Sequence, residues 1–279
     1  YGMLSKVFQM SEEQFFSYYA PTSGNKHSYI DECNVEYDAV YASVPDLPFG
    51  NLWLAHKLSP RIPSNSVMHF GILNSLRSWN MFKLSEGIET ACNVGGFGID
   101  GGLSALIGAS LVDKERLCFG AFGDLAFFYD MNSLGNRHVG NNLRILLINN
   151  GCGTEFKLRT HPCYAFGENA NKYMAAAGHY GSKSGKLVRH YAEDLGFKYL
   201  TASDKEGFMN VIDQFVDPAV SQSILLEVFT DCQMEDKAYF MIRHSISDGQ
   251  GKAKQMIKGA INYILGEDGM NTIHKLVKR

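Results

Sequence analysis

No apolar run in this chain is long enough to span a bilayer, so a helical membrane protein is not expected. No basic stretch leading into a short apolar core opens it, so no secretory signal is read either. No Cys-x-x-Cys pair occurs. The six cysteines (Cys33, Cys92, Cys118, Cys152, Cys163, Cys232) are scattered, which argues against a disulfide framework and for a reducing, cytoplasmic setting. Net charge is small, −3, so neither a nucleic acid nor an acidic membrane is an expected partner. Ser104 and Ser110 lack a Gly-x-Ser-x-Gly elbow, leaving hydrolase chemistry without support. His161, His179, His190 and His244 lack metal-ligand spacing and are expected at the surface or at caps. Repeats and low-complexity tracts are absent. The chain begins Tyr1-Gly2-Met3-Leu4 rather than with an initiator methionine, which leaves open that it is a piece of a longer polypeptide.

What is present is ordinary in bulk. The 279 residues, 45% hydrophobic and 20% charged, suffice for one large domain or for one domain plus part of another. Residues 1–46 are poorly patterned and read as irregular structure or the tail of a preceding domain. From 47 to 279 the chain settles into alternation. Strand-like runs fall at Val67–Gly71, Leu117–Phe122, Leu143–Ile148 and Ile224–Phe229. Helix-like stretches fall at Asn51–Leu58, Gly102–Val112, Phe127–Leu134, Ala170–Ala177, Ser184–Leu195, Lys205–Phe215 and Lys252–Leu265. Gly135 to Asn142 is a polar break, and the basic end from Lys252 to Arg279 suggests an amphipathic surface or interface helix. Strands alternating with helices predict an α/β fold: an open parallel sheet with helices on both faces.

Three segments carry chemistry. Residues 93–104 hold five glycines ahead of a small-residue helix, which frees backbone amides and permits unusual dihedrals; a tight loop before a buried helix would read the same way. The strand from Leu117 ends in Gly123-Asp124 with a helix following at once. Open α/β sheets bind ligands at such a place, and the helix amides favour a phosphate. Asp124 beside a phosphate calls for a divalent cation between them, although an N-cap aspartate has the same signature. The strand from Leu143 ends in Asn149-Asn150-Gly151-Cys152-Gly153, offering neutral amide oxygens suited to Mg²⁺ or Ca²⁺, or simply an Asn-Gly turn.

Taken together, Gly123-Asp124, an interval of 23 residues after Leu125, and Asn149-Asn150-Gly151 resemble the fingerprint of the thiamine-diphosphate (ThDP) enzyme family, which opens Gly-Asp-Gly and closes Asn-Asn. Leu125 replaces the third residue of the opening triplet. The resemblance covers roughly residues 51 to 229 and implies the three-layer α/β/α diphosphate-binding domain. It further implies that Asp124 and Asn150 give side-chain oxygens, and Cys152 its backbone carbonyl, to Mg²⁺, with the Cys152 thiol a bystander. Gly123, Leu125 and Ala126 would serve the diphosphate through amides or packing. Ile99, next to Gly98, would be the apolar wedge beneath the bent cofactor, and Asn74 and Ser75 would touch the diphosphate. The activating glutamate of the family belongs to a pyrimidine-binding domain expected upstream or on another subunit. Glu155 and Glu168 do not match it. A homodimer or tetramer is therefore expected, and the isolated chain is expected to be inactive.

Within the family, Asn74-Ser75-Leu76, Gly98-Ile99-Asp100-Gly101, and Gly123-Asp124-Leu125 with Tyr129-Asp130-Met131-Asn132 resemble the synthases of 2-succinyl-5-enolpyruvyl-6-hydroxy-3-cyclohexene-1-carboxylate (SEPHCHC), the MenD type of menaquinone biosynthesis. That resemblance implies a transferase that decarboxylates a 2-oxo acid and passes the acyl unit to an acceptor. The match fails where acidic substrates would bind. Val94 and Trp79 stand where the synthases place arginines, Arg77 comes two residues early, and Glu155 replaces an apolar residue while Phe156 is retained. Arginine forks recognise carboxylates, so an altered donor or acceptor is expected. Arg77 and Phe156 are the substrate-facing candidates, a surface salt bridge being the other reading of Arg77. Two alternatives remain: another ThDP carboligase or decarboxylase resembling acetolactate synthase or sulfopyruvate decarboxylase, and a noncatalytic ThDP- or nucleotide-binding or dimerisation module.

Overall fold

The chain divides into two compact units, residues 1–43 and 44–279. The structure, a computed structural model, describes residues 6–20, 28–178 and 184–245. The expected helix Lys252–Leu265, the basic end as a whole and His179 lie outside the described residues.

In the first unit, α1 (Glu12–Tyr19) begins at a capping box: the Ser11 hydroxyl accepts from the Gln14 amide, and Gln14 accepts from the Ser11 N–H. Phe8, Phe15 and Tyr19 pack ring to ring along it. α2 (Ser28–Ala42) follows. Sequence patterning finds neither helix. α1 buries no residue, so no apolar stripe marks it.

The second unit opens with α3 (Asn51–Leu58), β1 (Val67–Phe70), α4 (Asn74–Trp79) and β2 (Glu89–Cys92). α5 (Gly102–Ser110), β3 (Cys118–Gly123), α6 (Asp124–Asp130) and β4 (Leu143–Asn149) form its middle. It continues through α7 (Asn169–Tyr173), α8 (Leu187–Asp194), β5 (Lys198–Ala202), α9 (Lys205–Val216), β6 (Ile224–Phe229) and α10 (Cys232–Ser245). All six strands are parallel, in the order β2-β1-β3-β4-β6-β5.

Parallel strands covered on both faces read as continuous apolar runs, and β3, β4 and β6 are buried almost end to end. Period-two alternation splits their side chains between two cores. Leu143, Ile145 and Leu147 of β4 pack with Leu103 and Leu106 of α5, Phe127 of α6 and Val188 of α8. On the opposite face Phe119 of β3 meets Phe215 of α9 edge to face, and Trp53 of α3 meets Phe208. The fold is thus the expected α/β sheet.

From β1 the chain moves outward to β2, then returns to place β3 on the other side of β1. The strand order therefore reverses between β1 and β3, which opens a crevice beyond their carboxyl ends.

Candidate functional site

Three chain turns converge at that crevice. After β1, Leu73 takes a left-handed φ of 64° and α4 starts at once with Asn74 and Ser75. After β3 there is no loop at all, because Asp124 is the first residue of α6. At the end of β4, Asn149 and Asn150 lead to Gly151, whose φ of 76° turns the chain back. Leu73 and Ala176, both non-glycine residues at positive φ, line the cleft thus formed. Such strain persists only where surrounding structure enforces it, and it gathers at functional sites.

The cleft measures about 240 Å³. Asn74, Ser75, Ile99, Gly123, Asp124, Leu125, Ala126, Asn150, Cys152 and Phe156 all line it, so it brings together most residues singled out in the sequence. Gly98 and Arg77 are not among its lining residues. Gly98 serves the loop instead: Asn93 donates from Nδ2 to the carbonyls of Gly98 (2.7 Å) and Asp100 (2.9 Å), stapling the turn that presents Ile99. A Cβ at Gly98 would lie 2.2 Å from Asp100 Oδ1, so no other residue fits without displacing Asp100. Asp130, at the far end of α6, accepts from the Ser104 N–H and hydroxyl at 2.7 and 2.6 Å and anchors the start of α5.

Asp124 is 4% exposed. Its Oδ1 accepts from the Leu125 N–H at 2.9 Å, and its Oδ2 accepts from the Gly151 N–H at 2.7 Å. The second bond pins the end of β3 to the turn after β4 and puts the carboxylate within one residue of Asn150. Asn150 Oδ1 accepts from the Cys152 N–H at 3.2 Å, closing a tight turn around the same point. The two amides of the Asn149-Asn150 pair go to different buried carboxylates. Asn149 Nδ2 donates to Glu227 Oε1 at 2.7 Å, and Asn150 Nδ2 donates to Glu235 Oε1 at 3.4 Å.

Glu235, on α10, is a site residue the sequence reading missed. It is buried and collects donors: Asn74 Nδ2 at 3.0 Å, the Thr230 hydroxyl at 2.9 Å, Asn150 Nδ2 and the Asn51 backbone amide. Burial holds its pKa above the usual carboxylate value, and these hydrogen bonds offset only part of that rise. Asn51 was missed as well. It lines the cleft, its Nδ2 reaches Ser75 Oγ at 3.4 Å, and its buried Oδ1 has no hydrogen-bond partner. The available signal was positional: α10 follows β6 closely, and β6 is the neighbour of β4, so polar residues just past its carboxyl end fall beside the crevice.

Among the described residues no three His, Cys, Asp or Glu side chains gather as a metal cluster. The crevice holds donors of another kind: the Asp124 carboxylate and the Asn150 amide oxygen. That hard, all-oxygen set suits Mg²⁺ with phosphate oxygens completing the shell. The orphaned Asn51 Oδ1 is an acceptor that suits a cation, and the start of α6, which has no side-chain cap at Gly123, suits a diphosphate. Cys152 shares a thiol–thiol hydrogen bond with Cys232. That bond and burial keep the Cys152 proton on, well above the usual thiol range.

The arginine expectations fare differently. Trp79 is 2% exposed and packs at a tilt against Phe70 in the core. Val94 is 49% exposed. Arg77 forms an ion pair with Glu155, the residue that replaces the apolar one.

No family profile matches the chain. Among curated proteins it is similar to SEPHCHC synthases of Bacteroides fragilis (35% identical over 188 residues, 67% of this chain and 32% of the relative) and Bacteroides thetaiotaomicron (32% over 234 residues, 83% and 40%). The chain is a ThDP-enzyme domain close to SEPHCHC synthase. It spans about a third to two fifths of the length of these synthases. Among solved structures, the ThDP-dependent 4-hydroxybenzoylformate decarboxylase of Rhodococcus jostii RHA1 aligns with 67% of this chain and 33% of its own, at 18% identity and a TM-score of 0.49. Among the described residues no helix is long and apolar enough to cross a membrane, and all six cysteines are free thiols.

Proposed function

We propose that this domain binds the diphosphate of ThDP through one Mg²⁺, held by Asp124, Asn150 and the Cys152 backbone carbonyl, in an enzyme that decarboxylates a 2-oxo acid and transfers the acyl unit to an acceptor. The observation that carries this is the 2.7 Å bond between Asp124 Oδ2 and the Gly151 N–H, which brings both fingerprint ends to one point. ThDP, when bound, supplies the electron sink that a 2-oxo acid needs to lose CO₂. The protein's own share is to hold. Gly123, Leu125 and Ala126 serve the phosphates through amides or packing, Asn74 and Ser75 close the opposite wall, and Ile99 keeps the cofactor bent. The pyrimidine-binding domain and its glutamate come from upstream sequence or a second subunit.

The substrates differ from those of SEPHCHC synthase. Support comes from charge. Val94 offers no cation, Trp79 belongs to the core, and the Arg77 guanidinium is already neutralised by Glu155. A dicarboxylic donor or acceptor would thus meet no unpaired fork at these positions.

Two measurements test the two parts. Calorimetry of the full-length protein with ThDP plus Mg²⁺ should show binding that Asp124→Ala weakens on the order of 100-fold; absence of binding in the parent protein refutes the cofactor assignment. Turnover of 2-oxoglutarate with and without isochorismate addresses the substrates, and robust SEPHCHC formation refutes their alteration. Product analysis with pyruvate identifies an acetolactate synthase-like carboligase.

A further inference from the structure

We propose that Glu235 is a positioning residue for the metal site: it turns the nitrogen ends of Asn74 and Asn150 toward α10 and so leaves Asn150 Oδ1 as the end available to the cation. The inference rests on the Mg²⁺–ThDP reading above and concerns a residue that the fingerprint does not contain.

The argument starts from the chemistry of the amide. Asparagine ends in one acceptor and one double donor of nearly equal size, so a side chain at a metal site must be oriented by something else. An ionised carboxylate only accepts. Glu235 Oε2 receives Asn74 Nδ2 at 3.0 Å, and Oε1 receives Asn150 Nδ2 at 3.4 Å. A half-turn of either amide would set oxygen against oxygen in a buried place, where the repulsion is little screened. The carboxylate is itself fixed: the Thr230 hydroxyl reaches Oε1 at 2.9 Å and the Asn51 backbone amide also donates to it. On its other side Asn150 Oδ1 accepts from the Cys152 N–H at 3.2 Å, the orientation that Glu235 selects. Without the carboxylate, Asn150 would sample the flipped state, whose nitrogen cannot ligate Mg²⁺.

The test is a double-mutant cycle on the full-length protein, read as Mg²⁺ affinity by calorimetry at saturating ThDP, with thermal unfolding as the fold control. Glu235→Gln keeps the shape but can donate as well as accept, so it no longer dictates the flip. The expected result is roughly a 10–100-fold weaker Mg²⁺ affinity with folding retained, as for other groups that orient ligands. In an Asn150→Ala background the same change should cost nothing further, because its target is gone. Equal affinity in parent and Glu235→Gln overturns the proposal. So does an additive loss in the double variant, which would mark Glu235 as packing alone. If Glu235→Gln does not fold, Thr230→Val removes one donor from the carboxylate and should weaken Mg²⁺ several-fold, whereas no change overturns the proposal. A parent protein that binds neither Mg²⁺ nor ThDP fails the cofactor reading itself, an outcome distinct from all of these.

Discussion

Gly151 shows how much of the site depends on single residues. Its φ of 76° lies where L side chains are disfavoured, and its N–H is the donor to Asp124. Gly151→Ala should cost about 1–2 kcal/mol of stability from the left-handed strain alone. It should also weaken Mg²⁺-dependent ThDP binding, because relief of the strain moves the N–H away from Asp124. Denaturant unfolding and calorimetry on one preparation separate the two effects, and unchanged values for both would disprove the role given to this turn. Residue identity was also what made the site legible in the sequence. Asp124, Asn150 and the glycines announce themselves by type at a strand end. Glu235 does not. It meets Asn74 across 161 residues and Asn150 across 85, and nothing in local spacing links them. Arg77 is a similar case: its type suggests a substrate fork, but its partner Glu155 lies 78 residues on.

Among elements, legibility followed burial. β1, β3, β4 and β6 were readable to within a residue at each end; the last three are buried, continuous apolar runs, and β1 alternates buried and half-buried residues. β2 and β5 were not, because both are sheet edges. Glu89–Cys92 is exposed for three of its four residues, and in Lys198–Ala202 only Ala202 is buried. The helix expected over Phe127–Leu134 instead starts at Asp124 and gives way to a 3-10 turn, Met131–Gly135, since Asp130 is drawn aside to anchor α5. The stretches Ala170–Ala177 and Ser184–Leu195 are helical only over Asn169–Tyr173 and Leu187–Asp194. A pH effect belongs to this scale. His69 in β1 and His56 in α3 both have pKa values held below the usual 6.5, mainly by burial. The unfolded chain therefore takes up protons that the folded one refuses. The stability these neutral histidines contribute is present above pH 6.5 and is lost as pH falls through their lowered folded values. Replacing both by glutamine should flatten the fall in unfolding free energy between about pH 8 and about pH 5. An unchanged slope would show that other groups control it.

For the whole molecule, the consequence of a composite site is linkage. Ligands that bind only the folded state raise its stability by mass action. Mg²⁺ and ThDP together, each well above its dissociation constant, should raise the midpoint of thermal unfolding by roughly 5–10 °C, with either alone giving much less. Each lacks the other as neutraliser: without the cation, Asp124 repels the diphosphate. Equal shifts from ThDP with and without Mg²⁺ would count against a shared ion. The comparison should use the full-length polypeptide, since this chain spans only about a third to two fifths of the synthases it matches.

The turn after β4 also bears on chemical ageing. In an Asn-Gly pair the glycine nitrogen readily attacks the preceding side-chain amide, closing an imide ring that reopens to aspartate or isoaspartate. At Asn150-Gly151 the attacking N–H is held by Asp124, and the amide under attack is held by Glu235 and by the Cys152 N–H. The bonds that shape the crevice thereby slow deamidation at its most vulnerable residue. Conversion at Asn150 becomes a slow clock for how often that turn comes undone.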